Sequence, residues 1–456
     1  MRTSYVLAVV GLSLGFSPVA RAEGLADRAR AYTSAHVTSR ALVPPFSRQT
    51  GLACSACHYQ FLSLTPFGRE FKQNGYTMTA QKAIDDKKEG KLNLSPIAGL
   101  GTMVQASYTH VSSTIPGTQN NSAALPQQLS IFLAGMISSK IGIFSQVTYS
   151  GADGSVGIDN IDLRYANQAD LGSTALTYGF TLNNNPTISD LWNTTPAWGF
   201  PYAGSDVAPS AAAATLIDGG LAQQALGLTG YAIVGGTVYG ELGVYRSAFQ
   251  GQGQPDATSS NTIDGGAPYW RLSLQKKWEK TYLMVGTFGL HASLFPSGVS
   301  GATDKLTDMG VDAQWEQQVG TGNLVARGTY IHEARTLDGS VAAGTAANAS
   351  GNVSEERLNA SYYPNQSFGV TLGVFQTTGS TDALLYASGP VTGSLLNDPK
   401  TSGFIGEFDF NAWQNTRLGL QYTAYSNFNG ASNNYDGAGR NASGNNTLYF
   451  LVWVVF

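Results

Sequence analysis

From about Leu94 to Phe456 apolar and polar residues alternate with a period of two, in segments separated by runs of Gly, Asn, Ser, Thr and Asp. Phe404, Gly406, Phe408 and Phe410 share one parity; Ile405, Glu407, Asp409 and Asn411 share the other. Leu418, Leu420, Tyr422 and Ala424 oppose Arg417, Gly419, Gln421 and Thr423, and Leu358, Ala360 and Tyr362 oppose Arg357, Asn359 and Ser361. Side chains of a strand point alternately to its two faces, so the pattern predicts strands with one apolar and one polar face. Such strands build either a half-buried sheet or a membrane barrel with a polar lumen.

Three features favour the barrel. About sixteen strand candidates can be counted, within the even-numbered range of such barrels. Leu448, Phe450, Val452, Val454 and Phe456 form an apolar row ending on a terminal aromatic, which resembles the sorting signature of bacterial outer-membrane barrels. The competing reading is the buried last strand of a soluble sandwich. Connections also alternate in length. Short turns are expected near 138–139, 167–172, 235–236, 277–280, 317–322, 364–367 and 413–415, and longer loops at 183–223, 250–267, 337–351, 379–400 and 429–445, with a short exception near 151–155. Short periplasmic turns and long outer loops would put both barrel ends in the periplasm. Trp278, Trp413, Trp453 and Trp315 lie toward the short-turn side, where an aromatic girdle is expected.

The N-terminus differs. Met1-Arg2, an apolar run from Tyr5 to Phe16 and Ala20-Arg21-Ala22 read as a secretory signal peptide over 1–22. The run falls short of the ~20 residues of a spanning helix. Residues 23–92 are mixed and fairly charged, holding both cysteines and Lys82, Lys87, Lys88 and Lys91; the barrel is expected over 93–456. Charged residues are 12% of the chain, aromatics 11%, and glycine numbers 54, which argues against disorder. A net charge of −4 gives no basic field for nucleic acid. Two cysteines are too few for a disulfide scaffold or a four-cysteine metal site.

Those two cysteines fall in Cys54-Ser55-Ala56-Cys57-His58, the C-x-x-C-H attachment sequence of one covalent haem c. Two thiols three positions apart can each form a thioether to a haem vinyl group, and the adjoining His58 reaches the iron as proximal ligand. A thioredoxin-like pair would need a strand–helix context that the surroundings lack. A zinc site would lack ligands. Downstream, Thr65-Pro66 is expected to open a short helix with Thr as N-cap, and Gly75 to end it. Phe67 and Phe71 share a face next to Tyr76, either as an ordinary packing stripe or as a stripe that keeps water from the haem edge. For the sixth ligand the candidates are His36, Met78, Met103 and His110, with Met78 first; a Met/His pair raises the haem potential.

The segment Pro45-Phe46-Ser47-Arg48-Gln49-Thr50-Gly51, then CSACH, then Leu64-Thr65-Pro66-Phe67-Gly68-Arg69-Glu70-Phe71-Lys72 and Gly75-Tyr76-Thr77 resembles the monohaem cytochrome–porin fusions of the outer membrane of iron-oxidising bacteria. The resemblance implies a small, mainly α-helical N-terminal cytochrome followed by an all-β transmembrane barrel of about sixteen antiparallel strands. It also implies electron transfer from extracellular Fe(II), or another reductant, to a periplasmic c-type cytochrome, as an Fe(II):cytochrome c oxidoreductase-like carrier. Cys54, Cys57 and His58 carry over as haem attachment and proximal ligand. With the haem domain in the lumen, the haem is expected to divide the distance across the membrane, and Asp312, Glu407 and Asp409 to line the lumen, where they either favour cations or merely solvate its wall. Two rival readings stand beside this one: a diffusion porin with a haem-bearing plug, and a reductase sending electrons outward.

Overall fold

The computed structural model describes residues 44–78, 84–85, 93–94, 99–118, 120–248, 254–259, 261–296 and 298–456. The expected signal peptide, His36 and the lysines at 82, 87, 88 and 91 lie outside the described residues.

Sixteen antiparallel strands close into a barrel. They are β1 (Leu100–Val111), β2 (Asn121–Ser138), β3 (Ile141–Ser150), β4 (Ser155–Leu171), β5 (Thr174–Asn183), β6 (Ala225–Val234), β7 (Val238–Ser247) and β8 (Ala267–Lys277). They continue as β9 (Thr281–Phe295), β10 (Asp304–Val319), β11 (Gly322–Thr336), β12 (Ser350–Tyr363), β13 (Phe368–Gly379), β14 (Thr401–Trp413), β15 (Thr416–Asn427) and β16 (Thr447–Val455). Each pairs with its sequence neighbours, and β16 closes on β1 with Phe450 opposite Tyr108 and Val455 opposite Met103. The Phe456 N–H donates to the Thr102 carbonyl at 2.8 Å, so the last residue helps seal the seam. Closure removes every exposed strand edge. The turns at one end run from two to four residues, the shortest being Ser139-Lys140, Gly172-Ser173, Gly320-Thr321 and Gln414-Asn415, whereas the other end carries the long loops.

The faces follow the alternation, and their polarity excludes a soluble sandwich. Leu226, Leu228, Leu242, Leu272, Leu358, Leu372, Phe404 and Leu420 are exposed on the outside. Arg271, Asp312, Glu407, Asp409 and Arg417 are buried inside. An apolar exterior around a polar interior is the arrangement of an outer-membrane barrel of porin type. Leu242, 71% exposed and mid-strand in β7, should report the lipid directly. Replacing it by Arg is expected to cost ~2–4 kcal/mol if it lies at the bilayer midplane, read as a lowered midpoint for folding into vesicles.

Trp278, Trp315 and Trp413 are exposed near the short-turn end, as a girdle requires. Trp453 is not part of it. It is buried and points inward, with Arg417 5.6 Å from its ring centroid. Its parity is opposite to that of the outward Phe450 and Val452, so the pleat turns it into the lumen.

Two segments occupy the lumen. One is 44–78, at the short-turn side; the other is the long connection between β5 and β6. That connection packs Leu216, Ile217 and Leu221 against Tyr245, Tyr269 and Phe288. Three wall carboxylates receive its backbone N–H groups: Glu355 from Thr215 and Asp308 from Ile217, both at 2.7 Å, and Glu333 from Leu216 at 2.6 Å. Backbone donors that would be unsatisfied in the interior are thereby paired.

Candidate functional site

The plug at 44–78 is built from three short helices. The first, α1 (Pro45–Thr50), starts on a proline, whose missing N–H costs nothing there, and stops at Gly51 with φ 74°. The motif itself forms α2 (Cys54–Cys57), after which His58 bridges back to Leu64. The third, α3 (Pro66–Gln73), is capped as the sequence predicts: the Thr65 Oγ1 accepts from the Gly68 N–H at 3.1 Å. The Thr65 hydroxyl also donates to the Ala56 carbonyl at 2.6 Å, and the Thr65 N–H to the Cys57 carbonyl at 2.9 Å. One residue therefore caps α3 and ties it to the motif.

Gly68 completes that junction. A Cβ on it would lie 2.2 Å from the Cys57 carbonyl oxygen. Gly68→Ala is expected to force α2 from α3, at ~1–3 kcal/mol as for other overpacked sites. The check is protease resistance of the plug in otherwise folded protein, which should fall.

The motif faces a cavity of about 400 Å³, within the ~300–1,000 Å³ of cofactor-sized pockets. The plug contributes Phe46, Leu52, Cys54, Cys57, His58 and Phe71; the wall contributes Met103, Phe132, Phe144 and Trp453; the inward connection contributes Trp198. The lining is mainly apolar, with amides of Gln105, Gln128, Gln146 and Asn160 among the exceptions. Phe46 stacks on Tyr76 at 5.3 Å and meets Phe71 edge-on at 5.1 Å. Phe71 and Tyr76 line the cavity, whereas Phe67 packs behind it with Leu52 and Ala56. The expected aromatic stripe is therefore split between cavity wall and plug core.

Cys54 and Cys57 are free thiols. Burial pushes both up, Cys57 to about 12, so both are neutral. Burial lowers His58 to about 4 against a weaker opposing pull from the Leu62 carbonyl, and its Nδ1 has no hydrogen-bond partner. A buried neutral imidazole and two thiols therefore face the same apolar cavity. Met78, expected first as sixth ligand, does not line the cavity. It packs against the Leu52–Ala56–Phe67 cluster beside Cys57. His110 lies near the loop end of β1 with its Nδ1 2.5 Å from the Asn121 Oδ1, away from the cavity. Of the described candidates only Met103 lines it.

Polar contacts seat the plug in the barrel. Arg69 pairs with Glu316, and the Tyr76 hydroxyl donates to Asp162 at 2.7 Å. The Lys72 ammonium donates to the Ile188 and Asp190 carbonyls at 2.7 and 2.6 Å. Arg417 bonds Asp409 at 2.5 Å, Glu407 at 2.6 Å and the Phe61 carbonyl of the plug at 2.9 Å. Arg271 pairs with Asp312 at 2.6 Å. Asp312, Glu407 and Asp409 thus face the lumen as expected, but each is held by an arginine and none is free to attract cations.

The site also sits lower than expected. The Gln414 side chain in the β14–β15 turn accepts from the Ser55 N–H at 3.2 Å. Met103, Ala134, Phe144 and Val455 all belong to the short-turn halves of their strands. The inward connection occupies the loop-side half through Leu216, Ile217 and Leu221 and also reaches the short-turn half, where Leu191 and Trp192 pack against Tyr231, Tyr239 and Tyr282 beside the plug.

No protein-family model matches the sequence, and no curated protein matches it. Among solved structures the chain is similar to an anion-selective porin from Comamonas acidovorans, at 13% identity over 78% of this chain and 98% of that one, with a TM-score of 0.45. It is also similar to the outer membrane channel DcaP of Acinetobacter baumannii, at 12% identity over 82% and 100% with a TM-score of 0.43. A third is the outer membrane protein OmpT of Vibrio cholerae, at 8% identity over 80% and 99% with a TM-score of 0.42. With overlap this partial, the assignment of an outer-membrane barrel of porin type rests on the sixteen-strand closure and the apolar exterior.

Proposed function

We propose that the protein carries electrons across the outer membrane through one covalent haem c held in the barrel lumen. The supporting observation is that Cys54, Cys57 and His58 face one mainly apolar cavity of about 400 Å³. Size, apolar lining, two neutral thiols and a neutral imidazole with an unpartnered nitrogen all fit that group. Cys54 and Cys57 would each add S–H across a vinyl bond, the sulfur and the hydrogen going to its two carbons, with no oxidant needed. His58 would be the proximal ligand. Bound haem would supply one-electron exchange. Phe46, Phe71, Phe144 and Trp198 supply much of the apolar wall, and the Arg69, Tyr76 and Arg417 contacts hold the plug against the barrel.

In this reading residues 1–22 direct export, 23–92 form the cytochrome domain, and both barrel ends lie in the periplasm. The motif then stands near the periplasmic rim, within reach of a soluble c-type cytochrome. One extracellular Fe(II) is oxidised to Fe(III) for each electron delivered to that partner. On the loop side the electron crosses packed protein, with Trp198 on the cavity wall.

A second reading, a diffusion porin with a haem-bearing plug, is supported by the porin-type barrel itself. The plug and the inward connection weigh against it, since both occupy the path a solute would take. Purified protein mixed with Fe(II) decides between them. Conduction predicts rapid reduction of the haem and slow swelling of sugar-loaded vesicles. No reduction together with free sugar passage would establish the porin reading.

A further inference from the structure

We propose that Met103, a residue of the barrel wall, is the sixth ligand of the haem iron, so that the cofactor joins plug and barrel. The inference rests on the haem reading above and specifies its coordination.

Met103 is 1% exposed, lies on β1 and lines the same cavity as Cys54, Cys57 and His58. Tyr449, Leu451 and Trp453 of β16 surround it, with Phe61 and Leu62 of the plug. The buried Gln105 amide donates to its Sδ at 3.7 Å. A thioether sulfur has two lone pairs, so that contact orients the side chain and leaves one pair for iron.

Three other polar side chains on the cavity wall are engaged. Lys72 is held by two carbonyls, and Tyr76 donates to Asp162. Tyr202 accepts from Arg327 at 3.2 Å. Met103 is the one methionine and His58 the one imidazole on the described lining. Met is often mere gap-filler in a core, but here it lines the same mainly apolar cavity as a histidine. Met/His ligation raises the haem potential, which suits an electron acceptor from Fe(II). It would also add a link between the plug and the β16–β1 seam, where Phe61 already packs on Trp453.

The test uses full-length protein in detergent, with Met103→Leu, Met103→His and, as control, Met78→Leu. Haem attachment is scored first, by staining of the denatured chain, so that absence of haem is read as failure of the functional reading and not of the ligand assignment. Leu conserves volume, and barrel folding is checked by heat-modifiable mobility. The oxidised wild type is expected to show the long-wavelength sulfur-to-iron charge-transfer band, and Met103→Leu to lose it and turn high-spin. Met103→His should stay low-spin at a lower potential, with the band absent, and Met78→Leu should match wild type. A band that survives in Met103→Leu, that vanishes in Met78→Leu, or that is missing from haem-loaded wild type would overturn the proposal.

Discussion

Replacing Cys54 and Cys57 together by alanine is expected to remove all covalently attached haem while leaving the barrel folded. The seam is closed by the backbone pairing of β16 with β1, in which the thiols take no part. Sixteen-strand closure should therefore survive, seen as unchanged heat-modifiable mobility. What changes is the plug. Its cavity of about 400 Å³ is lined by Phe46, Leu52, Phe71, Phe132, Phe144 and Trp453, and apolar side chains around an unfilled space lose stabilising contacts. The double variant should retain no haem stain after denaturation, and any haem-dependent electron transfer should fall to background. If the double variant keeps full haem after denaturation, the attachment site has been misassigned.

Arg417→Ala is expected to have the largest effect of any single lumen substitution. The guanidinium is fully buried between Glu407 and Asp409 and also donates to the Phe61 carbonyl of the plug. Removing it leaves two carboxylates without their cation. Loss of one partner of a buried pair costs ~3–5 kcal/mol. Because this arginine links wall to plug, the loss should appear in two places. The unfolding midpoint should drop, and hydrogen exchange over the plug hairpin around Phe61 should accelerate more than exchange in β1–β3. Uniform acceleration over the whole chain would show that Arg417 stabilises only the barrel. Replacing Arg417, Glu407 and Asp409 together by apolar residues of similar volume should cost less than Arg417→Ala, since no charge is left stranded.

The barrel was legible in the sequence because the pleat imposes a period of two and lipid on one side rewards it. Phe404 and Phe408 outward, Glu407 and Asp409 inward follow from that rule alone. The same rule turns Trp453 inward, since it shares parity with Tyr449 and Leu451, and here the pleat outweighs the pull of an interfacial girdle. The plug was legible where chemistry constrains spacing, in Cys54–His58 and the Thr65-Pro66 cap. Its position in the lumen was not. The depth of the plug is set by the connection between β5 and β6, whose inward fold depends on distant wall carboxylates at Asp308, Glu333 and Glu355. No local pattern announces those partners. Closeness along the chain favours Met78, whereas Met103 reaches the cavity only because β1 carries it there. Asp312, Glu407 and Asp409 could be placed on the lumen face, but their arginines belong to other strands or to other residues of the lumen wall, so their neutralisation could not be read from composition.

The central claim is that the lumen carries electrons, not solutes. The direct measurement is a proteoliposome assay with the purified protein inserted in one orientation, oxidised soluble cytochrome c trapped inside, and Fe(II) added outside. The account predicts reduction of the trapped cytochrome with wild type and none with the Cys54/Cys57 double variant, at equal insertion and without leakage of a small entrapped sugar. Failure of haem-loaded wild type to reduce the trapped cytochrome, in vesicles from which the sugar escapes, would contradict it.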